Sequence, residues 1–168
     1  MVTPRPSRMP DLQLTADRVE ITALPGEFTD AGMQHDYDRF ADLFTPDGVW
    51  AIPGAAIEFH GRAAIRDGIE RLQANWEFFV QNTHPGIIRI DGDTATGRAY
   101  IAELGRFRDG SSHVNYALYH DRYERTADGW RFAERSYEVR YMDSTPLAGT
   151  PAPPVAGESA ARMAGRDF

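Results

Sequence analysis

Cysteine is absent from the 168 residues, which excludes disulfides, iron–sulfur clusters, thiolate zinc sites and thiol nucleophiles. Lysine is absent as well, so all 18 basic residues are arginine. That removes Schiff bases, covalent pyridoxal links and phosphate-loop lysines. Positive charge is the minority sign, with 25 acidic residues and a net charge of −7. A protein that neutralises phosphates needs a basic face, so nucleic acid is not an expected partner. No apolar run approaches the roughly 20 residues of a membrane span, and residues 1–10 lack the apolar segment of a secretory signal. The expectation is a cytoplasmic domain with neither membrane nor nucleic-acid partners. Metal and cofactor motifs are missing too: there is no HExxH, no G-x-G-x-x-G after a strand and no G-x-S-x-G. His113 and His120 are seven residues apart on one predicted strand, which puts them on opposite faces. Chemistry without metal or cofactor is the consistent reading.

What is present fits one globular domain, 42% hydrophobic and 26% charged. Residues 1–10 and the Pro/Ala/Gly-rich 146–168 read as tails, which leaves a domain at 11–145. Asp-Gly pairs at 91–92, 109–110 and 128–129 supply the positive φ angles of tight hairpins. Between them, runs 78–90, 94–107, 113–125 and 130–141 are rich in β-branched and aromatic residues, predicting a four-stranded antiparallel meander. Strands this long must twist and curl, with Gly86, Gly97 and Gly105 as bending points. The first half is helical. Residues 36–44 put Tyr37, Phe40, Ala41 and Phe44 on one face, and 61–76 put Ile65, Ile69, Leu72 and Trp76 on another. A further helix is predicted around 16–24, broken by Pro25-Gly26, and short strands at 49–52 and 57–60. The fold class is α+β: about three N-terminal helices close the concave face of a curved antiparallel sheet into a cone.

The segments DYDRFADLFTPDGVW (36–50), FHGRAAIRDGI (59–69), IIRIDGDTATGRAYI (87–101) and YHDRYERTADGWRFAERSYEVRYMDSTPL (119–147) resemble the SnoaL-like polyketide cyclases of the nuclear transport factor 2-like superfamily. The resemblance implies a cystatin-like cone with a conical pocket, usually in a homodimer. Its members include isomerases, dehydratases, dehydrochlorinases and cyclases. It also implies that His84 is a general base; without the resemblance, His84 is a loop histidine beside Pro85-Gly86. An aspartate expected three residues before Asp36 is replaced by Met33, and the substitute candidates are Asp30, one helical turn earlier, and His35, two residues later. Arg135 falls where dehydrochlorinase-like members aim an arginine into the cavity; otherwise it pairs with Glu134, Glu103 or Glu138 on the sheet. Asn115, Tyr119 and Tyr137 share strand faces that belong either to the pocket or to a dimer interface. Trp50, Trp76 and Phe79 are core or pocket lining. The expected function is a cofactor-independent dehydratase- or isomerase-type reaction on a small apolar cyclic or polyketide-like molecule. The alternatives are a non-catalytic ligand-binding or dimeric scaffold domain and the small subunit of a ring-hydroxylating dioxygenase.

Overall fold

The computed structural model describes residues 12–152. The expected tail at 1–10, and the part of 146–168 beyond 152, lie outside the described residues. Three α-helices come first, α1 (Leu12–Met33), α2 (Tyr37–Asp42) and α3 (Gly61–Gln73). They are interleaved with β1 (Phe44–Ile52), a 3₁₀ turn (Pro53–Ala55) and β2 (Ile57–His60), and followed by β3 (Trp76–Asp91), β4 (Thr94–Phe107), β5 (Ser112–Thr126) and β6 (Gly129–Asp143). One sheet holds all six strands in the order β2-β1-β6-β5-β4-β3, and every neighbouring pair is antiparallel except β1 with β6. The predicted meander is therefore present. The three Asp-Gly pairs form its turns, with positive φ at Gly92, Gly110 and Gly129.

β3 bends where expected. Pro85 pairs with Ala99 and Ile88 with Gly97, so residues 86 and 87 face Arg98 alone in a bulge. Only glycine fits at 86, since a Cβ there would lie 2.5 Å from the Arg98 carbonyl oxygen. The bulge also exchanges the faces of β3. Before it the odd residues Phe79 and Gln81 point inward; beyond it Ile88 and Ile90 do.

The predicted break at Pro25-Gly26 does not occur. α1 runs through Pro25 as a single 22-residue helix. An internal proline removes one helical hydrogen bond and costs about 3 kcal/mol. Against that, Ile21, Leu24 and Phe28 are all buried on the sheet, each contributing roughly 1.5–3 kcal/mol. Packing wins, and the helix continues. α2 starts as expected, with the Asp36 side chain accepting from the Arg39 backbone N–H at 3.2 Å.

The core fills one end of the cone. Phe28, Phe40, Phe44, Trp50 and Phe132 stack edge-on or tilted around Ile21 and Ile65. α1 is fastened to the far hairpin by Asp17, whose carboxylate takes two hydrogen bonds from Arg125, at 2.6 and 2.7 Å, and one from the Trp130 indole at 3.2 Å. The Arg125 contact holds the Asp17 carboxyl well below the usual carboxylate range, against the opposing effect of burial. Beyond β6, Arg106 donates to the carbonyls of Leu147 and Gly149 and pins that segment along β4.

Candidate active site

At the open end of the cone lies a cavity of about 470 Å³ between the concave face of β3–β6 and the helices. Its walls are mostly apolar, aliphatic and aromatic together, with Phe28, Phe40, Trp50, Trp76, Phe79 and Phe107 among the rings. One wall is polar, and the strand register builds it. Gln81 on β3, Glu103 on β4 and Asn115 on β5 are direct cross-strand neighbours on the inward face. Tyr137 of β6 lies opposite Tyr119 of β5 on the same face.

Glu103 is the hub of this wall. Its Oε2 accepts from Gln81 Nε2 at 2.9 Å, and its Oε1 accepts from Asn115 Nδ2 at 3.1 Å and the Tyr137 hydroxyl at 2.5 Å. The chain of bonds extends to α1, where the Thr29 hydroxyl donates to Gln81 Oε1 at 2.8 Å. Burial, reinforced by the Glu103 charge, pushes the Tyr137 phenol above the ordinary tyrosine range. It stays protonated and donates to the carboxylate. Tyr119, fully enclosed, is raised by burial as well, with Arg135 pulling the other way.

His113 completes the wall. It precedes Asn115 by two residues on β5 and packs edge-on against Trp76, with ring centroids 4.8 Å apart, and against Phe107 at 5.6 Å. Its Nε2 is buried with no hydrogen-bond partner. Loss of hydration pushes its pKa below the usual 6.5, and the Glu103 charge pulls in the opposite direction. The ring is therefore neutral at pH 7. A further cavity group has a buried atom without a partner, Asn115 Oδ1, while the buried Trp50 Nε1 interacts with the Tyr119 hydroxyl.

The residues singled out from the sequence divide into two sets. Met33, Trp50, Phe79, Asn115, Tyr119 and Tyr137 all lie on the cavity wall. The concave reading of the Asn115, Tyr119 and Tyr137 faces is the one that holds. His84, Arg135 and Asp30 do not meet there. His84 sits before the β3 bulge, an odd number of residues from Phe79 and Gln81, and strand alternation turns its side chain to the exposed face. Asp30 is exposed on α1 and pairs with Arg39, which also holds Glu27 and Asp36. Arg135 is on the concave side but is fully buried in the core, not on the cavity wall. Its Nε lies 3.1 Å from the Asp121 carboxylate, and its guanidinium sits 4.0–4.4 Å from the ring centres of Tyr119, Phe28 and Phe132. Neither Glu134 nor Glu138 is its partner. Glu134 pairs with Arg122, and Glu138 with His120 and Arg140.

Gln81, Glu103 and His113 were not anticipated as a site. A signal for Glu103 exists: the inward positions of β4 read Ala95, Gly97, Ala99, Ile101, Glu103, Gly105 and Phe107, with one charge among them. Counting outward from the Asp109-Gly110 turn places Glu103 opposite Asn115 and Gly105 opposite His113.

Comparison with known proteins agrees with this architecture. The model of the SnoaL-like domain matches residues 13–136. The gamma-hexachlorocyclohexane dehydrochlorinase of Sphingobium indicum is 28% identical over 146 residues, covering 84% of this chain and 90% of the relative. An uncharacterized protein of Mycobacterium tuberculosis is 28% identical over 123 residues, covering 71% and 83%. The crystal structure of LinA superposes with a TM-score of 0.77 at 27% identity, covering 87% of this chain and 100% of that one. With the cone, the six-stranded curved sheet and a family match over most of its length, this chain belongs to the SnoaL-like domain family.

Proposed function

We propose that the protein is a cofactor-independent enzyme of the dehydratase or isomerase type, acting on a small apolar molecule held in the cavity, with His113 in place of His84 as the general base. The observation that carries this reading is the neutral His113 ring on the wall of an aromatic cavity, its Nε2 buried and unpartnered. A base must be unprotonated, within reach of the substrate and free to accept. In the tautomer with the proton on Nδ1, Nε2 is unprotonated and free to accept, on a ring that lines the cavity. Proton transfer from a substrate C–H to Nε2 creates an imidazolium, which the charge of Glu103 favours. The electron pair of the broken C–H bond then forms a double bond, either expelling a leaving group or moving onto a neighbouring oxygen. The Trp50 indole N–H and the Tyr119 hydroxyl, which interact with one another on the cavity wall, are the donors suited to receive that oxygen. The related hexachlorocyclohexane dehydrochlorinase, whose LinA crystal structure has the same fold, supports the reaction class.

The test is a solvent-deuterium assay with gamma-hexachlorocyclohexane and a set of cyclic ketones, read by mass spectrometry. The expected result is deuterium uptake or elimination that falls by at least about a hundredfold in His113→Ala and persists in His84→Ala. Full turnover in His113→Ala removes the mechanism. A binding-only domain is the second reading. It is favoured by the lack, among the described residues, of a hydrogen bond that orients the His113 ring; no turnover in any arm together with saturable ligand binding selects it.

The same reading includes a homodimer. The convex face of the sheet exposes Val80, Tyr100, Leu104, Tyr116 and Tyr141 on neighbouring strands, and contiguous apolar surface of this kind marks an interaction site.

A further inference from the structure

The polar wall of the cavity is one-sided in its hydrogen bonding. A carboxylate can only accept, so Asn115 must turn its NH₂ group to Glu103 and leave its carbonyl oxygen as the free end. That oxygen is buried and unpartnered, on a residue only 6% exposed. Glu103 offers about four acceptor positions and uses three, which leaves room on Oε2. Both groups stand on the inward face, directly opposite one another across β4 and β5.

The charge there is equally one-sided. Among the described residues, Glu103 has no ion-pair partner, and its three hydrogen bonds come from neutral donors. Arg135, the buried arginine behind the wall, is committed to Asp121 and enclosed by three rings. A partly buried carboxylate without a counter-charge is costly, and a ligand that brings the counter-charge relieves that cost. The remaining walls mix aromatic rings with aliphatic side chains such as Ile52, Ile69 and Leu72, and the rings favour a cation over an anion.

Free acceptors, an unbalanced negative charge and aromatic faces are all complementary to one chemical group. We propose that the cavity binds a primary amine carried on a flat apolar ring system, with Glu103 and Asn115 clamping the ammonium and the aromatic walls enclosing the ring. The ammonium donates one N–H to Glu103 Oε2 and another to Asn115 Oδ1. A bicyclic aromatic with a two-carbon arm suits a space of about 470 Å³. A neutral alcohol satisfies one acceptor and leaves the charge unbalanced, and a carboxylate is repelled. The inference goes beyond the proton-transfer reading, because binding of the amine does not depend on any reaction following it.

Titration calorimetry on the full chain tests it with three shape-matched probes: tryptamine, tryptophol and indole-3-propionate. Tryptamine is expected to bind about tenfold or more tighter than tryptophol, with no saturable binding of the acid. In Glu103→Gln, checked for folding by circular dichroism, the amine falls to the affinity of the alcohol, while the alcohol changes by less than about threefold. Asn115→Leu weakens the amine as well and serves as the second variant if Glu103→Gln does not fold. Equal affinities for amine and alcohol, saturable binding of the acid, an amine preference that survives Glu103→Gln, or no amine binding at millimolar concentration each overturns the proposal. Calorimetry reads no turnover. An inactive protein that selects the amine therefore refutes only the catalytic reading, and an active one that ignores it refutes only this inference.

Discussion

A histidine on an aromatic wall and a carboxylate on the next strand act on each other through charge. Burial lowers the pKa of His113 while Glu103 raises it, and this fixes the sign of a pH experiment. Activity that depends on neutral His113 is constant above the imidazole pKa and declines as pH falls below it, at a pH under the ordinary 6.5. Glu103→Gln removes the raising influence, so the acidic limb of kcat/KM moves to lower pH, measured from pH–rate profiles of both proteins. A limb that stays in place shows that the two groups do not interact. Arg135 illustrates the opposite assignment. The family resemblance implies a cation aimed into the cavity, and the side chain does lie on the concave side, but the sequence cannot show that Asp121 stands beside it and Phe28, Tyr119 and Phe132 close over it. Its depth depends on α1, far away along the chain, and no local pattern reports that. His84 was lost to parity: whether it faces in or out depends on its offset from Phe79 and Gln81, and the resemblance alone does not set that offset.

Elements were easier to read than sites where their determinants are local. Asp-Gly turns, β-branched runs and the Asp36 cap each act within a few residues, so the four long strands, the Gly86 bulge and the start of α2 were all legible. The continuity of α1 was not. Pro25 is a strong local breaker, and what overrides it is contact with strands that the chain has yet to form. The Asp17 clasp is part of that contact and sets a second prediction. A carboxyl held below its unfolded pKa stabilises the fold fully above the unfolded value, about 4, and loses that contribution as pH falls through the folded value. Asp17→Asn therefore lowers the melting temperature at pH 7 by on the order of a few degrees. Its deficit against the parent chain shrinks in thermal scans carried progressively below pH 4. A deficit that is constant with pH would mean that packing, and not charge, fastens α1 to the β5–β6 hairpin.

For the whole molecule, the division between the two faces of the sheet governs behaviour. The concave side carries the core and the cavity, while the convex side leaves Leu104 and its cross-strand neighbour Val80 open to another surface. Light scattering coupled to size exclusion is expected to give twice the 18.8 kDa chain mass. Leu104→Arg is expected to return the protein to a single chain with its cavity intact, and a single chain in the unmodified protein would leave the convex face without a partner. The one parallel pairing, β1 with β6, has a different consequence. The β3–β6 meander consists of hairpins between consecutive strands and can zip together early, whereas β1 must wait for the last strand of the sheet. During synthesis from the N-terminus, the sticky faces of α1, α2 and α3 and the open edge of β1 therefore remain without their native cover until β6 leaves the ribosome. The nascent first half is thus the stage at which this chain most depends on chaperones.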